Sequence, residues 1–291
     1  MTLSAYQSRI DEGLQDYLNC YTKTAPDVVH RAMAYSLLAK GKRMRPVLLL
    51  ATCHALSGNQ DNALPFACAL EMVHAYSLIH DDLPAMDDDD YRRGRPTNHK
   101  VFGEGVAVLA GDGLLNLAYE IMTDSCIEHF CLETIQAMNV IARCAGVRGM
   151  IGGQAADLEA EGKAINAEML DYIQRNKTGA LLEAAFTAGG WLAGGSGEVI
   201  SLLAGAGRDL GVAFQIQDDI LDLTATTESL GKPTHSDERN SKATYVSMFG
   251  IEQAKAKVHD LFGEVLLQLN SVLKHDEFIT SYLNQLMRRR N

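Results

Sequence analysis

The sequence predicts an all-α protein, a bundle of about ten helices, and three observations predict it. Prolines occur only at positions 26, 46, 65, 84, 96 and 233, so the interval 97–232 has no helix breaker of that kind. Apolar residues recur there at three- and four-residue spacing, as in Leu109, Leu114, Leu117 and Ile121, and again in Leu202, Leu203, Leu210, Phe214 and Ile220. Runs of β-branched residues in strict alternation are missing. Segments that are apolar all round read as central helices. Breaks are expected at Gly58-Asn59-Gln60, Gly94-Arg95-Pro96, Gly194-Gly195-Ser196-Gly197 and from Gly231 to Asn240. None has the composition of a linker, so residues 1–291 read as a single domain.

Composition narrows the function. The chain is 47% hydrophobic and 22% charged, with a formal net charge of −11 and no strong basic run, which argues against a nucleic-acid partner. The six cysteines (Cys20, Cys53, Cys68, Cys126, Cys131, Cys144) form no C-x-x-C pair and read as buried free thiols of a reducing compartment. The N-terminus MTLSAYQSRIDEG carries acids early and does not resemble a signal peptide. No uninterrupted apolar stretch reaches the length of a membrane span, since Val106 to Ala110 runs into Asp112. A cytoplasmic protein is expected.

Taken in order, Asp27 to Leu38 predicts a helix, followed by a basic turn, Lys40-Gly41-Lys42-Arg43-Met44-Arg45-Pro46. Pro46 suits the first turn of the next helix, and Lys42 and Arg45 lie where a helix N-terminus also favours an anion. The helix Pro65 to Asp82 carries Glu71, His74 and Tyr76 and is stopped by Pro84. His80 reads as a packed, hydrogen-bonded residue.

The stretch Asp81 to Gly94 then holds six carboxylates and two guanidiniums in fourteen residues, directly after an apolar run. Carboxylates are hard oxygen ligands suited to Mg²⁺, and arginines suit phosphate oxygens. A loop after Pro84 lets Asp87 return over the helix end towards Asp81 and Asp82. Further on, Gly152-Gly153-Gln154-Ala155-Ala156-Asp157 opens a helical stretch in which the Gln and Asp read as structural. Asn176-Lys177-Thr178-Gly179 places a Lys-Thr pair in mid-helix.

A second acidic motif, Gln217-Asp218-Asp219-Ile220-Leu221-Asp222, has no proline, so Asp218 and Asp222 at i, i+4 share a face with Gln215. Like charges in so apolar a helix call for a cation between them. Lys232 and Lys242 follow in a polar stretch that could close over what the acids hold. Two acidic clusters with basic residues on several loops suit the ionisation of a diphosphate ester. Metal ions would assist the leaving group, and an apolar core would shield a carbocation from water.

The order of these motifs resembles the trans-isoprenyl diphosphate synthase family, and within it the bacterial farnesyl diphosphate synthases (geranyltranstransferases). The resemblance runs from about Lys40 to Phe249 and covers both aspartate motifs, the Gly-Lys-Arg-x-Arg-Pro turn, the Lys-Thr pair and Phe214-Gln215-Ile216-Gln217. It implies an all-α bundle around a deep central cavity, usually a homodimer. It also implies three Mg²⁺ ions, with Mn²⁺ as a substitute, held on the allylic diphosphate by Asp81, Asp82, Asp87, Asp218 and Asp222, with Asp219 beside them. Arg92, Lys177, Lys232 and Lys242 would grip that diphosphate, and Lys177, Thr178 and the Gln215 carbonyl would stabilise the allylic cation. Lys42, Arg45, His74 and Arg93 would bind isopentenyl diphosphate in a metal-free basic pocket. The implied reaction joins isopentenyl diphosphate head-to-tail to dimethylallyl or geranyl diphosphate, with departing pyrophosphate as the base.

Product length follows from Tyr76. Five residues at 1.5 Å rise put it roughly 7.5 Å below Asp81 along the helix axis, where its ring, with Ser77 beside it, would stop the chain after a few isoprene units. The resemblance implies a C15 product where this residue is large. A C20 product is the alternative. The family's Gly-Gly-Lys is Lys40-Gly41-Lys42 here, and its late Gly-Lys is Ser241-Lys242. Terpene cyclases and head-to-head synthases would lack the Lys42–Arg45–His74 pocket. A non-catalytic subunit of a heteromeric synthase would tend to lose one aspartate motif, and both are intact.

Overall fold

The computed structural model describes residues 1–224, 244–274 and 276–287. Among them lie fourteen α-helical segments, one π-helical turn and one two-stranded ribbon. The helices are α1 (Leu3–Tyr21), α2 (Asp27–Leu37), α3 (Met44–Ala55), α4 (Gln60–Asp81), α5 (Asn98–Phe102), α6 (Glu104–Glu128) and α7 (Leu132–Ala145). They continue as α8 (Met150–Ala160), α9 (Ala167–Ile173), α10 (Ala180–Leu192), α11 (Gly197–Thr224), α12 (Tyr245–Phe249), α13 (Ile251–Val272) and α14 (Glu277–Met287). The all-α expectation holds. Three of the four helices beyond ten are the five-residue helices α5 and α12 and the extra segment made where the π turn Gln174–Gly179 divides one continuous stretch, α9 to α10.

The centre is built from the helices without a polar face. Every residue of α10 from Ala180 to Gly190 is buried, and small side chains there let α3, α7 and α11 pack closely around it. Helix α4 packs on α3 and α6, and α11 on α10 and α13, so the two acidic motifs ride on central helices. By length and composition alone α6 and α11 could cross a membrane, which corrects the expectation that nothing reaches that length. Their polar residues are spread out and do not shorten the helix. About half of each apolar window (44% and 56%) is buried against neighbouring helices.

Helix α4 begins five residues before the expected Pro65, because the Asn59 side chain caps the Asp61 N–H and Pro65 is tolerated inside the helix near its start. It ends at Asp81 as Pro84 predicts, and the loop turns back so that the Asp87 N–H bonds the Asp81 carbonyl at 2.9 Å. All six cysteines are free, but Cys20 and Cys131 are exposed, against the expectation that all are buried.

Candidate active site

A cavity of about 820 Å³ opens between α4, α6, α8, the π turn and α11. Asp81 and Asp87 line it from one side and Asp218 and Asp219 from the other, although the two motifs are far apart in sequence. Lys177, Thr178, Gln215, Arg92, Arg93, Arg45 and His74 line the same space. Its deeper wall is apolar, with Leu115, Met150, Ile151, Leu158, Leu181, Leu182 and Phe214 beside Tyr76 and Ser77. Tyr76 is buried and packs edge-on against the His80 ring at 5.7 Å. The Ser77 hydroxyl is turned back onto the His74 carbonyl at 2.9 Å. His80 is a packed residue as expected, its Nε2 3.1 Å from the Val108 carbonyl.

A second pocket, about 530 Å³, adjoins this cavity and is lined by Lys40, Gly41, Lys42, Arg43, Glu71 and Gln7, sharing Arg45, His74 and Arg93 with the first. Its wall is the basic turn before α3. Arg43 adopts a left-handed backbone conformation (φ 51°) and sits almost wholly buried. It donates to Asp11 at 2.8 Å, to Glu71 at 2.9 Å and to the Ala39 carbonyl at 3.1 Å. Those three acceptors tie the turn to α1 and α4. Reading the turn as a row of phosphate ligands missed this; the signal was a lone acid, Glu71, three residues before His74 on an apolar helix. Replacing the family's first glycine by Lys40 leaves the close approach intact, since it is a Cβ on Gly41 that would lie 2.6 Å from Arg93 Nη1.

Arg92 and Arg93 are set by an element absent from the all-α reading. Tyr91–Arg92 and Arg95–Pro96 pair antiparallel around a tight turn in which Arg93 and Gly94 both have positive φ (54° and 75°). Arg95 stacks over the Tyr35 ring at 4.1 Å, and the Tyr35 hydroxyl donates to the Pro96 carbonyl at 2.8 Å. Arg92 Nε donates to Asp82 at 2.6 Å. Asp82 is buried behind this contact and does not line the large cavity, unlike Asp81 and Asp87. Burial pushes its carboxyl up to about 6, against the opposing pull of Arg92.

Lys177 does not lie in regular helix as expected but in the π turn, whose extra residue per turn swings its side chain onto Asp157 at 2.6 Å. Asp157, read as structural, thus holds a residue of the site without itself lining the large cavity. Gly153 allows this contact between α8 and the turn, because a Cβ there would be 2.2 Å from the Lys177 nitrogen. The Thr178 hydroxyl donates to Gln215 Oε1 at 3.0 Å, and Gln215 Nε2 donates to Asp219 at 3.1 Å. Asp219 also accepts from the Tyr245 N–H at 3.1 Å. Asp222, a turn beyond Asp218, is buried outside the cavity lining with Oδ1 unpartnered. Lys232 and Lys242 lie outside the described residues.

Electrostatically the two spaces differ. His74 is held well below the ordinary imidazole value by burial and then by Arg45, Arg93, Arg92 and Arg43, so it is neutral in the resting pocket. Burial likewise lowers Arg45 and Arg93, which repel each other across the pocket. The basic pocket therefore suits an anion, and the large cavity offers carboxylate oxygens. Among the described residues no three side chains gather on a single ion. The donor set is nonetheless all hard oxygen. Mg²⁺ commonly takes only one or two carboxylates and completes its shell with water and substrate phosphate.

Comparison with known proteins agrees with this geometry. Residues 26–278 match the family model of polyprenyl synthetase. The chain is 46% identical over 257 residues to farnesyl diphosphate synthase of Geobacillus stearothermophilus, covering 88% of this chain and 86% of that one. It is also 46% identical over 245 residues to the chloroplastic geranylgeranyl pyrophosphate synthase of Capsicum annuum, covering 84% of this chain and 66% of the relative. Among solved structures it resembles a geranyltransferase of Helicobacter pylori complexed with magnesium and isoprenyl diphosphate, with a TM-score of 0.82, 31% identity and coverage of 99% and 98%. The aspartates facing each other across an apolar cavity thus belong to a prenyltransferase, and the chain is a trans-prenyl synthase of the polyprenyl synthetase family.

Proposed function

We propose that the protein is a farnesyl diphosphate synthase, condensing isopentenyl diphosphate with dimethylallyl and then geranyl diphosphate to the C15 product. The observation that carries this reading is the pair of adjoining spaces. An acid-mouthed apolar cavity for the allylic substrate shares Arg45, His74 and Arg93 with a basic pocket for the second diphosphate.

In this reading Asp81, Asp87 and Asp218 hold Mg²⁺ on the allylic diphosphate. The complex of the Helicobacter relative with magnesium and isoprenyl diphosphate supports magnesium as the metal. When bound, the metal supplies Lewis-acid assistance to the leaving pyrophosphate. Arg92 and Lys177 neutralise its remaining charge, and Asp82 aims Arg92. The allylic C–O bond breaks with its electron pair leaving on pyrophosphate. The π electrons of isopentenyl diphosphate form the new C–C bond, and the proton lost from the adjacent carbon passes to the pyrophosphate oxygens. Lys42, Arg45, His74 and Arg93 keep the attacking double bond beside the cation. Leu181, Leu182 and Phe214 exclude water from it.

Tyr76 supports C15 over C20, because a buried ring that lines the cavity would block a longer chain. We further propose a homodimer. Leu109 and Ile127 on α6 and Leu132 on α7 are 55%, 72% and 62% exposed, an apolar surface that a second copy would cover.

The test is product chromatography with labelled isopentenyl diphosphate, dimethylallyl diphosphate and Mg²⁺, for the wild type and Tyr76→Ala. A C15 product that lengthens in the variant supports both enzyme and floor. A C20 wild-type product keeps the synthase and overturns the Tyr76 argument. No condensation would leave the non-catalytic subunit as the better reading.

A further inference from the structure

Gln154 is unusual among the described residues in that both ends of its amide, Nε2 and Oε1, are buried with no hydrogen-bond partner. It lines the large cavity from α8, one turn before Asp157 and therefore on the same helical face. The polar side chains that line this cavity from the π turn and the adjoining part of α11 are already engaged. Lys177 is taken by Asp157, and the Gln215 amide is held at both ends by Thr178 and Asp219. The amide dipole in the cavity with nothing to bind is that of Gln154. The sequence reads it as structural, bridging helices or reaching a bound-water network. No such bridge exists among the described residues, and a buried donor and acceptor left unmade weaken the fold without compensation.

Burial of an unsatisfied amide in a ligand cavity is explained if the ligand completes it. We infer that Gln154 contacts the allylic substrate. Its amide N–H₂ donates to a diphosphate oxygen, and its carbonyl oxygen faces the allylic carbon on which positive charge grows as the C–O bond breaks. An amide is suited to this task because it stabilises charge without carrying a charge that would pair with Lys177 or repel Asp157. This inference rests on the reading of the cavity as the allylic site.

Two variants test it. Gln154→Met keeps length and removes the amide, and Gln154→Glu keeps an acceptor and removes the donors. Three quantities are measured: melting temperature without ligand, the thermal shift produced by inorganic pyrophosphate with Mg²⁺, and condensation kinetics for each substrate. Gln154→Met is expected to melt at or above the wild-type temperature, since orphan polar atoms have been removed. It should show a smaller pyrophosphate shift and condense about tenfold to a hundredfold more slowly. The KM for isopentenyl diphosphate should stay within about twofold, because that substrate sits in the other pocket. Gln154→Glu should fold and lose most of the pyrophosphate shift. A Met variant with the wild-type rate and shift overturns the inference. So does one that melts several degrees lower and loses both substrates equally, which is the mark of a structural residue. If the wild type does not condense while its pyrophosphate shift still depends on Gln154, the proposed function fails and the diphosphate contact stands.

Discussion

Arg43 shows how a side chain can serve a binding pocket without touching what is bound. Its side chain and that of Glu71 are 4% and 5% exposed, so the ion pair is desolvated and removal of one partner strands the other. Arg43→Ala is expected to cost about 3–5 kcal/mol in urea denaturation, the range for breaking buried pairs. A loss below about 1 kcal/mol would mean that water enters the gap and the turn is held otherwise. His74 gives a pH signature. The unfolded chain takes up a proton near 6.5, whereas burial and four arginines keep the folded imidazole neutral. The unfolded state then binds more protons below that pH, so stability rises with pH across this window and falls on acidification. Melting temperature should drop between pH 6.5 and 5, and His74→Asn should flatten that part of the profile; identical profiles would contradict the assignment. Asp81→Ala or Asp218→Ala should lower kcat/KM by about a hundredfold or more with little change in melting temperature. Turnover at the wild-type rate would remove them from the metal site.

At the scale of elements, the site depends on two irregularities. The ribbon Tyr91–Pro96 aims Arg92 and Arg93, and the π turn Gln174–Gly179 aims Lys177 and Thr178. Both interrupt helical periodicity, and neither has a period of its own long enough to read. The ribbon's signal was Arg93-Gly94, a pair able to adopt positive φ; the π turn had none. Gly153→Ala tests the second device. The new methyl would lie 2.2 Å from the Lys177 nitrogen and 2.7 Å from the Asn176 carbonyl carbon, both backbone atoms that cannot swing aside. Overpacking of this kind is expected to cost about 1–3 kcal/mol and to lower kcat more than it lowers substrate binding. A variant with unaltered urea midpoint and kcat would show that α8 rides freely over the turn. By contrast, the return of Asp87 over the end of α4 was legible, because Pro84 stops the helix and leaves a short loop with one place to go.

In the proposed function the molecule as a whole keeps two anionic substrates apart until they react. The acid-lined cavity needs metal to accept a diphosphate, and the basic pocket does not. In the proposed scheme their common wall of Arg45, His74 and Arg93 is where the double bond and the allylic carbon would meet. Lys42→Ala should therefore raise the KM for isopentenyl diphosphate far more than that for the allylic substrate, and equal effects in steady-state kinetics would refute the two-pocket scheme. If a second copy covers α6 and α7, sedimentation should give a dimer for the wild type and a shift towards monomer for Leu109→Asp. A monomeric wild type at micromolar concentration would leave that apolar face unexplained.

The sequence by itself determined the helical class, the end of α4, the two aspartate motifs and the basic turn. Each of these is local, fixed by apolar period, proline position or the charge of neighbouring side chains. It also determined which chemistry those residues suit, because ligand hardness and charge belong to the residue type. Only the tertiary structure decided which members face the cavity. It turned Asp82 away onto Arg92, buried Asp222 outside the cavity and spent Arg43 on Glu71. It brought in Asp157 and left Gln154 with nothing to bind. The reason is physical: a motif places several like side chains within a few residues, but burial and pairing across helices assign each its partner. Those partners come from elements whose closeness no sequence spacing records.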